Sequence, residues 1–276
     1  MQYTGPDFDL PAMTCVRAEL DQGILTITLN RPEHRNAMNV ALTLEMQGLL
    51  QAVHDDAAIR VVVLRGEGPG FCAGMDAADF EDSTARGEAS LRAARAAAND
   101  WRVRRLRLLP QPVIAMVHGF CGGGAAAVLE GCDIVLAAGN TEFSLADAQG
   151  KADSISTWGA SRVMTPRSAA YYALACSSFD AAEAERNGLI SRSVPEAELE
   201  GEVYALARDL ANKDATAVQF TKETLLHVGE MSWDGVLNFT AAKFAELKAL
   251  QAGRPSTRAA AVADFLAGKS KPGLGA

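Results

Sequence analysis

The chain has 276 residues, 49% of them apolar, and a formal net charge of −8. That length suits one large domain or a domain with a helical appendage, and the apolar content is enough for a sizeable core. The acidic balance argues against a nucleic-acid binder, which normally shows a basic face, and without a run of eighteen apolar residues no membrane span is expected.

Taken from the N-terminus, MQYTGPDFDLPAM carries acids rather than a basic stretch followed by an apolar one, so it does not read as a signal peptide. Leu25, Ile27 and Leu29 alternate with Thr26 and Thr28, the pattern of a half-buried strand. Residues 39–54 carry Leu42, Leu44, Met46, Leu49, Leu50 and Val53 on a helical repeat. Val61 to Leu64, Val113 to Val117 and Ile134 to Ala138 are short apolar runs, as strands covered by helices on both faces require. Strands recurring with helices between them predict an α/β fold with right-handed crossovers and a largely parallel sheet. The alanine-rich Ala89–Ala98 reads as a helix. From about Pro166 onward the β signal fades, and 167–177, 180–187, 196–212, 215–228, 233–252 and 256–267 read as helices, with Asp180 and Ser232 as N-caps. This pattern predicts an α/β core over 1–195 and a helical C-terminal region over 196–276.

Five cysteines, Cys15, Cys72, Cys121, Cys132 and Cys176, are widely spaced with no CxxC pair, which predicts free thiols in a reducing cytoplasm. His34, His54, His118 and His227 lack metal-ligand spacing, so no metal is expected. There is no G-x-S-x-G elbow and no Gly-Lys-Ser/Thr phosphate loop. Two glycine-rich segments remain, each directly after a predicted buried strand: GEGPGFCAGMD at 66–76 and GFCGGGA at 119–125. Glycine lets the backbone turn with positive φ and approach a ligand closely. An alanine-rich helix follows the second, so its first N–H groups and positive dipole end suit an anionic oxygen. Either segment alone is equally readable as a tight strand-to-helix turn.

Together, LNRPEHRNAM at 29–38, FCAGMD at 71–76, PVIAMVHGFCGGG at 112–124 and CDIVLA at 132–137 resemble the crotonase (enoyl-CoA hydratase/isomerase) superfamily in order and spacing. Within it the similarity is greatest to the 4-hydroxycinnamoyl-CoA (feruloyl-CoA) hydratase-lyases, through NRPEHRNAM, AGMD, Trp101 before an Arg-rich stretch, Tyr171-Tyr172, Ser232-Trp233 and FLAGKSKPGL. The resemblance implies a crotonase-like spiral of βα units, a homotrimer or hexamer, and an acyl-CoA thioester substrate with no further cofactor. It also implies an oxyanion hole whose donors are the backbone N–H groups of Met75 and Gly124. One such donor is typically worth about 10²–10³ in rate.

The carboxylates depart from the family pattern. Hydratases hold water between two glutamates, and the corresponding positions here are Ala127 and Asp147. The hydratase-lyases have serine at the first, so Ala127 does not exclude related chemistry. Asp147, in FSLAD, stands where the family's general acid/base belongs. Asp153 lies in the loop where dienoyl-CoA isomerases and 4-chlorobenzoyl-CoA dehalogenases put a working aspartate. Phe239 aligns with the tyrosine that holds the lyases' phenolic oxygen, and it cannot make that hydrogen bond. Arg35, Ala73 and Asp76 are candidate substrate contacts, although Asp76 also reads as a cap of its own turn. Glu130, one helical turn beyond Ala127, reads as a solvated or salt-bridged acid, with a swing towards the site as the alternative. Arg102, Arg104, Arg105 and Arg107 read as solvated or paired with nearby acids. The expected activity is an acyl-CoA hydratase, isomerase or lyase. The alternatives are a dehalogenase or hydrolase using Asp153, or a non-catalytic acyl-CoA binder.

Overall fold

The computed structural model describes residues 2–3, 13–76, 78–79, 87–145, 160–253 and 257–269. Its chain divides into two compact units, residues 1–212 and 213–276.

In the first unit, β1 (Val16–Asp21), β2 (Ile24–Leu29), β3 (Val61–Gly66), β4 (Val113–Val117), β6 (Ile134–Ala138) and β9 (Arg192–Val194) form a six-stranded sheet in the order β1-β2-β3-β4-β6-β9. Only the β1–β2 hairpin is antiparallel. A second sheet holds β5 (Phe120–Gly122), β7 (Glu142–Ser144) and β8 (Ser178–Asp180) in the order β5-β7-β8.

The expected βα units are present, with a short second strand after the first in the turns that follow β4 and β6. β4 leads into β5 and then α3 (Ala126–Glu130); β6 leads into β7, and α4 (Ala160–Val163) and α5 (Pro166–Ala175) come next among the described residues. The turn after β3 follows the same plan, with Cys72 bridging to Cys121 of β5 before α2 (Glu88–Asn99) begins. The turns after β3 and β4 carry the two glycine-rich segments and bring them side by side at the Cys72–Cys121 bridge.

Both faces of the large sheet are covered, which is why its central strands read as unbroken apolar runs. Val62, Leu64, Val113, Ala115 and Val117 pack in the cluster that holds Leu42, Met46, Leu49 and Val53 of α1 (Val40–His54). The alternate residues Val61, Val63, Ile114, Met116, Leu136 and Ala138 face Leu199, Val203 and Ala207 of α7 (Glu196–Ala211). α7 therefore packs on the sheet and belongs to the first unit, which runs to Asn212.

Asp180 and Ser232 cap α6 (Ala181–Asn187) and α9 (Trp233–Leu250) as expected, accepting from Glu183 and Gly235. β8 and β9 lie in the gaps between the expected helices, where no strand was expected because three residues are too short to show an alternation. The second unit contains α8 (Ala215–Val228), α9 and α10 (Thr257–Leu266).

Candidate active site

The NRPEHRNAM segment forms the first wall. Arg35 and Asn36 both adopt left-handed backbone, with φ of 54° and 55°. Asn36 is fully buried and satisfied: its Oδ1 accepts from Arg31 N–H (2.9 Å), and its Nδ2 donates to the carbonyls of Glu67 (2.8 Å) and Gly70 (2.9 Å). One side chain thus ties this turn to the first glycine-rich segment. The Arg35 carbonyl accepts from Ala73 N–H (3.0 Å), while the Arg35 side chain is exposed. Arg31 donates to the Ala37 carbonyl and pairs with the Asp76 carboxylate at 3.0 Å. The other Asp76 oxygen accepts from Asp79 N–H (3.4 Å), the turn-capping role read from sequence.

These bonds set the strand that carries Met75. Met38 N–H donates to Gly74 O (2.8 Å) and Asp76 N–H donates to Met38 O (3.0 Å). In a parallel bridge these two bonds bracket Met75, so its own N–H points away from Met38. On the other side runs the second glycine-rich segment, held by Gly122 N–H to Cys72 O (3.0 Å) and Cys72 N–H to Phe120 O (3.3 Å). Gly123–Ala125 forms one 3₁₀ turn leading into α3, so the Gly124 N–H precedes the first intrahelical bond. Approach is close: a β-carbon on Gly124 would meet Met75 Cγ at 3.0 Å.

Cys72 braces the same junction, its Sγ donating to Asn36 O at 3.0 Å and accepting from Gly74 N–H at 3.4 Å. Burial pushes this thiol up to about 12, so it stays protonated and acts as a hydrogen-bonding strut.

The helix after Asn99 continues as a π-helical stretch, Asp100–Arg105. Arg104 and Arg105 pair with Asp100, as expected of that arginine cluster. Arg102 does not behave as expected: it is 6% exposed and points inward. Its guanidinium donates to the carbonyls of Gly124 (2.9 Å) and Ala98 (3.0 Å) and to Asn99 Oδ1 (2.7 Å). The available signal was its place in the stripe Ala98, Arg102, Leu106, Leu109, whose three apolar members are all buried. Glu130 departs too. It is 6% exposed, makes no hydrogen bond or ion pair among the described residues, and leaves Oε1 buried without a partner. Burial pushes its carboxyl up to about 7, against the pull of Arg102 and Arg107.

Of the residues read from sequence, Arg35, Ala73, Met75, Asp76 and Gly124 come together in this cluster. Asp147 and Asp153 lie outside the described residues. Phe239 belongs to the second unit, on α9, with the His227 ring edge-on at 6.1 Å and Lys243 Nζ 5.9 Å from its ring centre. Among the described residues no group of three His, Cys, Asp or Glu could hold a metal, and no helix is long and apolar enough to cross a membrane.

The spiral of ββα turns brings two glycine-rich backbone segments together beside a parallel sheet. The chain belongs to the enoyl-CoA hydratase/isomerase family, which its sequence matches over residues 19–255. It is 32% identical to the hydroxycinnamoyl-CoA hydratase-lyase of Pseudomonas fluorescens, over 94% of this chain and 95% of that one. It is 34% identical to the mevalonyl-coenzyme A hydratase of Aspergillus fumigatus, over 76% and 77% of the two chains. The crystal structure of enoyl-CoA hydratase from Mycobacterium smegmatis superposes with a TM-score of 0.82 at 24% identity, covering 93% of this chain and 97% of that one, which establishes the shared crotonase fold. The protein is accordingly an acyl-CoA hydratase, isomerase or lyase.

Proposed function

We propose that the enzyme binds an acyl-CoA thioester with its carbonyl oxygen between the N–H groups of Met75 and Gly124, and stabilises the enolate that forms there. The observation that carries this reading is the meeting of the two segments at Gly124, where Met75 Cγ would lie 3.0 Å from an added β-carbon. Two amides preorganised by their separate turns stabilise charge that appears only as the thioester becomes an enolate. Asp147 is then the acid/base that moves the proton at the neighbouring carbons, and Asp153 lies in the sequence as its alternative. Arg35, exposed beside Ala73, suits the CoA phosphates.

The family resemblance aligns Phe239 with the tyrosine that holds the hydratase-lyases' phenolic oxygen. A ring without a hydroxyl favours an apolar or aryl enoyl thioester over a phenolic one, unlike the substrate named for the Pseudomonas relative. Incubation with crotonyl-CoA, cinnamoyl-CoA and 4-hydroxycinnamoyl-CoA, followed by the absorbance of the conjugated thioester, tests this. Turnover of the first two above the third supports the reading. Saturable binding without any absorbance change rejects it.

Helices α8 and α9 expose Leu225, Trp233, Leu237 and Phe244. An apolar surface of this kind supports a homotrimer or a dimer of trimers. A monomer by light scattering at micromolar concentration would overturn that part. The five free thiols support a reducing, cytoplasmic setting.

A further inference from the structure

Arg102 and Glu130 are two buried ionisable side chains for which neither the family pattern nor the oxyanion chemistry of Met75 and Gly124 has a use. We propose that Arg102 is a positioning residue that fixes the Gly124 turn, and that Glu130 is its proton-controlled counter-ion, deciding how much of its positive charge reaches the thioester oxygen. This rests on the oxyanion reading of Met75 and Gly124.

The geometry begins with one face of α3 and the turn before it. Gly124, Ala127 and Gly131 stand at i, i+3 and i+7, so they share that face. Arg102 runs along it. A β-carbon on Gly131 would lie 2.1 Å from the Arg102 carbonyl, and one on Gly124 would lie 2.7 Å from Arg102 Nη1. Gly124 therefore leaves room for the guanidinium, and Gly131 for the backbone that carries it. The π-helical stretch that carries Arg102 is a rare geometry in soluble proteins. Here it aims a cation at the main chain of Gly124, with the backbone of Ala98 and the side chain of Asn99 holding its other nitrogens.

Glu130 lies one turn beyond Ala127 on the same short helix, buried and with Oε1 unpartnered. A buried carboxyl without hydrogen bonds is costly when charged, so it keeps its proton until the solution is near neutral. The charged groups acting on it are Arg102 and Arg107. Arg162 is the charged residue of α4, the helix packed against α3. Cys72 interacts with Arg102 and stays neutral, and the Asp133 carboxylate is engaged by Val113 N–H at 2.7 Å. Below neutrality the guanidinium charge behind Gly124 is uncompensated and adds to the pull on the thioester oxygen. Above it, the Glu130 carboxylate cancels part of that field. At an effective dielectric near 20, a unit charge about 12 Å away changes a rate by roughly tenfold.

The test uses the full-length enzyme with 3-phenylpropanoyl-CoA, a saturated thioester that binds without a double bond to hydrate, and reads the infrared stretch of its ¹³C-labelled carbonyl from pH 5.5 to 8.5. The expected result is a carbonyl shifted to low frequency at acid pH that relaxes upward through about pH 7. Glu130→Gln, nearly isosteric, is expected to hold the low-frequency position across the range and to remove a roughly tenfold fall in kcat on the alkaline side. Arg102→Met is expected to lose most of the pH-dependent shift and to lower kcat more than it changes KM. A low-frequency carbonyl whose pH profile is the same in wild type and Glu130→Gln overturns the inference and leaves the oxyanion reading standing. A bound carbonyl at its solution frequency in wild type overturns both.

Discussion

Gly74 lies against the amide of Gly124: a β-carbon on Gly74 would sit 3.1 Å from the Gly124 nitrogen and 2.9 Å from the Gly122 carbonyl oxygen. Its φ of 104° is also a conformation that side chains rarely adopt. Gly74→Ala is therefore expected to push the two segments apart. Losing one donor's alignment lowers kcat by about 10²–10³, the usual scale for an oxyanion contact. Steady-state kinetics beside a circular-dichroism check of folding would show this. A kcat within threefold of wild type would mean that the separation of these turns does not matter to catalysis.

Asn36 connects three backbone groups through one buried amide and holds a left-handed φ that asparagine tolerates well. Asn36→Ala removes all three bonds and leaves a buried donor and two buried carbonyls to find other partners. The expected loss is about 2–4 kcal/mol, measurable by urea denaturation. A loss under about 0.5 kcal/mol would show that the turn is held by its other contacts.

Glu130 makes stability depend on pH in a direction opposite to an ordinary paired carboxylate. In the unfolded chain it loses its proton near the ordinary glutamate value of 4.5, while in the fold it holds it to about 7. Between those values the unfolded state binds fewer protons, so stability falls as pH rises and levels off above 7. The full effect is about 3 kcal/mol, since holding a proton across each further pH unit corresponds to about 1.36 kcal/mol. The advantage of Glu130→Gln over wild type should grow by about that amount between pH 4.5 and 7.5 in paired denaturation curves. Parallel curves across this window would place the Glu130 ionisation at its solution value.

Asp147→Asn is expected to leave CoA thioester binding nearly intact and to lower turnover by about 10² or more, the scale of a lost general acid/base. Calorimetric binding and single-turnover kinetics separate the two effects. Unchanged turnover would transfer the role to Asp153 or Glu130.

Much of this protein is determined locally and can be read from the residues alone. The β2, β3, β4 and β6 runs, the helix at 40–54 and the caps at Asp180 and Ser232 follow from apolar period and hydrogen-bonding side chains a few residues apart. The glycine-rich turns that carry Met75 and Gly124 are legible as turns, but each alone reads equally well as a plain strand-to-helix connection, and only the fold brings the two together. The tertiary structure alone decided which way the polar side chains of the helices face. Arg102 looks like its neighbours Arg104 and Arg105 in sequence, yet it is buried and they are not, since only a small-residue face across from it makes room for a guanidinium. Glu130 reads as a surface acid and is buried for a related reason: α3 is sealed by the π-helical stretch and by α4, elements distant in sequence. α7 joined the sheet because Leu199, Val203 and Ala207 met a second apolar face, and the partner of an amphipathic stripe is not encoded in the stripe itself.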